Sequence, residues 1–265
     1  MHAFQYHRPS SAKDAVSLGS KKAEGRYLAG GQSLVQAMKL RLSSPSDLID
    51  LGTIKELSGI KISGSTVEIG AMTRHADVAG SAEVKKAIPA LAALAGMIGD
   101  RQVRHMGTIG GSLANNDPAA DYPAAVLGLG ATITTNKRKI EADKFFKGLY
   151  ETALEAGELI TSVSFPAPKR AAYMKFKNPA SRFAIVGVFV ADFGGSVRVG
   201  VTGAGPSAFR QADMEKALAA KFAPESVANI KVKADGLNND LHASPEYRAH
   251  LVTVMAKRAV EAALK

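Results

Sequence analysis

The 265-residue chain contains no cysteine. That excludes disulfides, a thiolate nucleophile, cysteine-type structural zinc and any iron–sulfur cluster held by thiolates of this chain. Tryptophan is also absent and only 6% of residues are aromatic, so the net charge of +10 lacks the stacking side chains of a nucleic-acid surface. The basic excess is shared between the stretches before and after Lys169. It suits an acidic partner subunit or an anionic small molecule rather than a nucleic acid. No run approaches 18 uninterrupted apolar residues, and Met1-His2-Ala3-Phe4-Gln5 lacks the basic-then-apolar layout of a secretory signal. The expectation is a cytoplasmic protein without a transmembrane segment. Six histidines (His2, His7, His75, His105, His242, His250) are scattered without ligand spacing, and no G-x-S-x-G elbow occurs. Neither a metal site nor a nucleophilic side chain is expected.

What is present begins with a core: 46% of residues are hydrophobic, enough for one large or two modest domains. The N-terminal part alternates short strands and short helices. Arg26 to Ala29 reads as a strand, Leu34 to Leu42 as a helix stopped by Pro45, and Leu48 to Leu51 as a buried strand. Gly59 to Ile62 and Thr66 to Ile69 alternate around a glycine turn and predict a hairpin. Ala82 to Gly99 is helical with a second helix starting at Pro89. Met106 to Asp117 reads as a long glycine-rich loop, and Pro118 to Leu129 as a helix. Ala131 to Thr135 with Lys139 to Glu141 predicts another hairpin, followed by a strand from Leu159 to Phe165. Pro166-Ala167-Pro168-Lys169-Arg170 is the best linker, dividing residues 1–168 from 169–265. Beyond it, Ala184 to Phe193 and Val197 to Val201 form a hairpin at Gly194-Gly195, and helices around Met214 to Lys221 and Pro245 to Leu264 close the chain.

Two glycine pairs carry the chemistry. In Ala29-Gly30-Gly31-Gln32-Ser33-Leu34 a strand ends, two glycines permit positive φ, and a helix begins. Ser33 and Gln36 have capping-box spacing. Successive N–H groups at such a turn, aided by the helix dipole, suit a diphosphate. Taken alone, the pattern is read sooner as a plain tight turn before a helix. Gly107-Thr108-Ile109-Gly110-Gly111-Ser112 offers a second row of backbone donors, and Asn115 and Asp121 follow with groups suited to ribose hydroxyls and ring N–H groups. Asp121 also suits a helix cap, with Pro123 in the first turn. Two cradles about 80 residues apart imply a long phosphorylated ligand. The Rossmann and P-loop spacings are missing.

The ordered set resembles the FAD motifs of molybdenum hydroxylase flavin subunits, the family of the carbon monoxide dehydrogenase medium subunit and the xanthine dehydrogenase flavin domain. Besides the two glycine motifs and Asp117-Pro118-Ala119-Ala120-Asp121, the likeness runs through Phe4-Gln5-Tyr6, Met38 to Arg41, Leu48 to Leu51, Ile69 to Thr73, Gly157-Glu158-Leu159-Ile160 and Tyr173-Met174-Lys175-Phe176. Asn115-Asn116 and Arg104-His105-Met106 depart from the commoner pattern. The resemblance implies an α+β chain: a two-subdomain FAD-binding fold of the vanillyl-alcohol oxidase (PCMH) type, then a smaller α+β domain with an antiparallel sheet and helices. It implies that Ala29 to Leu34 and Gly107 to Ser112 hold the diphosphate, and that Asn115 and Asp121 meet ribityl, ribose or flavin polar groups. Leu159 or Ile160 is implied against a ring face, and Lys175, or Lys177 after a small shift, near the isoalloxazine. A lysine at that edge favours the anionic reduced ring; the alternative for Lys175 is a solvated residue at a strand edge. Molybdopterin on a large subunit and two [2Fe-2S] clusters on a small one are implied as partners in a dimer of heterotrimers. Electrons would leave through this chain's FAD to quinone, dioxygen or NAD. The alternative is a self-sufficient FAD-dependent oxidoreductase of the same binding fold, which needs a substrate-site acid that the sequence does not identify. A non-catalytic nucleotide-binding module is the third reading.

Overall fold

The computed structural model describes all 265 residues. A small parallel sheet opens the chain: β1 (Gln5–His7), β2 (Arg26–Leu28) and β3 (Asp47–Asp50), with β3 in the centre. Ser11 caps α1 (Ala12–Lys21) by accepting the Asp14 N–H. This unit has its own core of Ala15, Ile49, Leu51, Ile54, Leu57 and Leu159. The last of these comes from far along the chain and ties the unit to its neighbour.

The second sheet is antiparallel, in the order β4-β5-β10-β6-β7. Its strands are β4 (Ile60–Ser63), β5 (Thr66–Gly70), β6 (Thr132–Thr135), β7 (Lys139–Glu141) and, after a separate small hairpin of β8 (Phe146–Gly148) and β9 (Glu151–Thr152), β10 (Ile160–Pro166). Both predicted hairpins are present, because period-two patterning and a short polar turn agree locally. The helices of this part of the chain are α2 (Leu34–Lys39), α3 (His75–Gly80), α4 (Ala82–Ala87), α5 (Pro89–Gly96), α6 (Arg101–Met106), α7 (Ile109–Asn115), α8 (Tyr122–Gly128) and α9 (Ala142–Phe145), of which α7 and α9 pack directly on the strands of this sheet.

Four expectations are corrected here. The helix from Leu34 ends at Lys39, not Leu42. Arg41 takes φ +60°, and its N–H and that of Leu42 return to the carbonyls of Met38 and Ala37, closing the helix as a Schellman motif with arginine in the glycine position. Ser33 makes no side-chain cap, because its backbone is already helical. Met106 to Asp117 is not a loop: Thr108 accepts the Gly111 N–H and starts α7. Asp121 stands at the head of α8, which begins later than expected because Asp117 first makes a turn with the Ala119 N–H; its carboxylate makes no cap and is engaged elsewhere.

Pro166 to Arg170 passes directly into the third sheet and is bonded at both ends, Ala167 N–H to the Ser65 carbonyl and Lys169 N–H to the Asp192 carbonyl. That sheet runs β11 (Arg170–Lys177), β12 (Ala184–Asp192), β13 (Val197–Thr202), β14 (Phe209–Arg210), all antiparallel. Every residue of β12 is buried, because α12 (Pro245–Ala263), preceded by α10 (Ala212–Ala220) and α11 (Glu225–Ala228), covers one face while α8 covers the other. A strand covered on both sides reads as a continuous apolar run, which Ala184 to Ala191 is. Tyr173, Phe189 and Ala191 of this sheet join the core around β5, β10 and α8. No helix is long and apolar enough to cross a membrane.

Candidate functional site

The first bend follows β2. The Leu28 carbonyl accepts the Leu51 N–H, and the backbone then leaves the sheet. From Ala29 through Leu34, six consecutive N–H groups have no acceptor in the chain; the first internal bond is Val35 N–H to the Gly31 carbonyl. Gly31 has φ +71°, which turns successive amides toward a common side in the manner of an anion nest. These residues are half-buried, and Ser33 is exposed. Unpaired main-chain donors in that condition need water or a ligand.

The second bend touches the first. A Cβ on Gly30 would run into the Met106 carbonyl, and one on Gly111 would stand 3.3 Å from the Ala29 Cβ. Two segments far apart in the sequence thus meet in the fold. Their amides differ, however. Gly107 donates to Val103, Ile109 to Thr73, Gly110 to Ala71 at 2.8 Å, Gly111 to the Thr108 hydroxyl at 3.2 Å and Ser112 to Thr108. Of the six, only Thr108 has an N–H without an acceptor in the chain. The expectation of a second row of free backbone donors is corrected: the first row is open and the second is largely engaged internally. Gly110 is a packing residue, since a Cβ there would lie 2.5 Å from that of Ala71. Ser112 and Asn115 lie half-buried along α7, and neither side chain is bonded within the chain.

Beneath this bend lies a histidine that sequence reasoning passed over. His75 donates its N–H to the Gly107 carbonyl at 3.0 Å, and its ring faces Tyr122 at 5.3 Å. Its Nδ1 and the Tyr122 hydroxyl are buried without partners. Burial, helped by the nearby Arg104 charge, lowers His75 to about 4.

Asp121, Tyr173 and Lys175 form a buried polar cluster. The Lys175 side chain is 2% exposed, so the solvated-lysine alternative is set aside. Its Nζ lies 2.9 Å from Asp121 Oδ1 and donates to the Met97 carbonyl at 3.0 Å. The Tyr173 hydroxyl donates to Asp121 Oδ1 at 2.5 Å. Burial pushes the Asp121 carboxyl up, against the pull of the Lys175 charge and the Tyr173 hydroxyl. Lys177 is exposed at the strand end. The helix α6 links the parts: its last residue, Met106, meets Gly30, while Arg104 bonds the Ile98 and Gly99 carbonyls beside Met97.

Leu159 and Ile160 sit at the seam between the first two sheets and are nearly fully buried in two different cores, so neither offers an open face. The Leu159 N–H donates to Asn136 Oδ1. Its neighbour Glu158 is held down to about 2: burial alone would raise it, but Arg138, the Glu155 N–H and the Thr135 hydroxyl outweigh burial.

Comparison with known proteins places the chain in a family. Residues 2–168 match the family model described as the FAD binding domain in molybdopterin dehydrogenase. The carbon monoxide dehydrogenase medium chain of Hydrogenophaga pseudoflava is 37% identical over 98% of this chain and 96% of its own length. The nicotine 6-hydroxylase medium subunit of Paenarthrobacter nicotinovorans is 35% identical over 97% and 96%. Among solved structures, carbon monoxide dehydrogenase from Oligotropha carboxidovorans superposes with a TM-score of 0.92 at 35% identity, covering 99% of this chain and 98% of that one. The chain belongs to the FAD-binding medium-subunit family of the molybdenum hydroxylases. It has that family's α+β FAD-binding fold, and its relatives are subunits of oxidoreductases.

Proposed function

We propose that this chain is the electron-exit subunit of a three-subunit molybdenum hydroxylase or dehydrogenase. In that assembly a large molybdopterin-binding subunit oxidises the substrate and a small [2Fe-2S] subunit collects the electrons. The FAD bound here supplies one- and two-electron redox chemistry toward an external acceptor such as quinone, dioxygen or NAD. The observation that carries the reading is the run of six unpaired amides from Ala29 to Leu34, built against the second bend. Such a row fits the diphosphate of a dinucleotide, whose charge main-chain donors satisfy without a cationic side chain.

In this reading Ala29, Gly30, Gly31, Gln32, Ser33 and Leu34 grip the diphosphate. Gly107, Thr108, Ile109, Gly110, Gly111 and Ser112 form the opposing wall, with Thr108 adding its free N–H. Ser112 and Asn115 present a hydroxyl and an amide to sugar-type hydroxyls. Asp121 and Lys175 flank the polar edge of the ring, and Leu159 and Ile160 close the floor behind it. The absence of cysteine supports clusters on another chain. Medium-chain relatives, including one named as a subunit of a dehydrogenase complex, support the partners. A dimer of heterotrimers is the expected assembly.

Co-purification from the native host tests the proposal, with metal analysis of each chain. This polypeptide alone is expected to be yellow, free of molybdenum and iron, and without hydroxylase activity. Molybdenum in the isolated chain, or a colourless folded preparation after addition of FAD, overturns the reading. Steady turnover of a small substrate by the isolated chain would support the self-sufficient alternative.

A further inference from the structure

The third sheet delivers an arrangement at Asp121 that the binding role does not by itself demand. Tyr173 and Lys175 are two apart on β11, so their side chains share a face. Lys175 pairs in register with Gly187 of β12, and a Cβ on Gly187 would collide with the Tyr173 hydroxyl. The missing side chain leaves the gap through which that hydroxyl reaches the carboxylate. The tyrosine ring stacks on Phe189, with centroids 6.3 Å apart. From β13, the Thr202 hydroxyl donates to the Ala120 carbonyl at 2.6 Å and lies 3.0 Å from that of Pro118, holding the segment that carries Asp121.

We infer that Tyr173 is a positioning residue that sets how much of the Lys175 charge the flavin ring experiences, by taking part of the Asp121 carboxylate for its own hydrogen bond. The inference rests on the proposal that Asp121 and Lys175 flank the ring. Asp121 Oδ1 is shared between the tyrosine hydroxyl and the ammonium, while Oδ2 lies 3.1 Å from Lys175 Nζ alone. A carboxylate with two donors on one oxygen neutralises each of them less completely. The Lys175 ammonium therefore keeps an uncompensated remainder of charge, anchored by the Met97 carbonyl. Burial and the Asp121 charge raise Tyr173 well above the ordinary phenol range, so the hydroxyl stays a donor at every working pH. Neither group needs to touch the substrate of the complex.

The test is the flavin midpoint potential of the full-length chain loaded with FAD, followed through the visible absorbance of the flavin. Lys175→Met is expected to move it negative, because a cation near the ring favours the reduced form. Tyr173→Phe keeps the ring stack and is expected to move the potential in the same direction by a smaller amount, with FAD content retained. Asp121→Asn, which removes the counter-charge while conserving shape, is expected to move it positive. If Lys175→Met shifts the potential and Tyr173→Phe leaves it unchanged, the tyrosine is only a packing residue and the inference falls while the binding-site proposal stands. If Lys175→Met changes neither potential nor FAD retention, the pair is remote from the ring and both fall. Thermal melts of the three variants separate unfolding from these outcomes. Should Tyr173→Phe fail to fold, 3-fluorotyrosine at position 173, whose hydroxyl is a stronger donor to Asp121, decides: a positive shift of the potential supports the inference and an unchanged potential overturns it.

Discussion

The two glycine bends carry closely similar residues, Gly30-Gly31-Gln32-Ser33-Leu34 and Gly110-Gly111-Ser112-Leu113, yet their main chains are in opposite conditions. In the first, the glycines precede the helix and their amides are open. In the second, they lie inside the first turn of α7, where the Thr108 hydroxyl and the carbonyls of Ala71 and Thr73 take the donors. The difference is one of phase between the glycine pair and the start of the helix. A pair placed before the cap makes a nest; a pair placed after it makes a contact surface.

Variants that exchange these roles would break the contrast. The largest effect is expected for Gly31→Val, which forces a β-branched residue into positive φ and disturbs the open row of amides. FAD retention should be lost while the melting temperature falls only by a few degrees. Retention of FAD measured by absorbance after gel filtration would show that the open row is not the grip.

Acid should act on the other bend. His75 is held neutral with its pKa lowered to about 4, below the unfolded value near 6.5. A buried base with a depressed pKa binds fewer protons when folded, so its stability contribution is complete above about 6.5 and declines as pH falls toward 4. The loss amounts to roughly 3 kcal/mol at the low end of that window, at 1.36 kcal/mol per pKa unit. Hydrogen exchange between pH 7 and 4.5 should loosen the amides of Gly107 to Ser112, whereas the first bend contains no ionisable side chain. His75→Gln should flatten the pH dependence; an unchanged slope would assign the acid sensitivity to another group.

Gly110→Val should cost about 1–3 kcal/mol by overpacking against Ala71 and lower the melting temperature before it affects the flavin. The same loss of FAD as in Gly31→Val, at an unchanged melting temperature, would erase the distinction between the bends. The smallest effect is expected for Thr108→Val, which removes the cap on Gly111 and should cost about 1 kcal/mol, read by thermal melting.

Much of the fold was legible because local signals agreed. The hairpins at β4–β5 and β6–β7 joined period-two patterning to a short polar turn, the hairpin at β12–β13 joined two apolar runs at Gly194-Gly195, and Pro89 stands at the first position of α5 as expected. Helix α7 was not legible, because glycines count against a helix until the Ala71 surface that demands them is known. The cap alternative for Asp121 was open in the sequence because the partners that engage its carboxylate instead, Tyr173 and Lys175, lie more than 50 residues away on β11. The meeting of the two bends was legible only through the family pattern. No local rule brings Gly30 against Met106.

The hold of Thr202 on the carbonyls of Pro118 and Ala120 has a consequence for recombination. Residues 2–168 look like a portable module, yet the loop bearing Asp121 takes its shape from β13, and the companions of that aspartate stand on β11. A hybrid that joins the first part of this chain to the last part of a relative must match hydroxyl, tyrosine and lysine together, or inherit a crooked wall. Heredity at this spot travels in pairs.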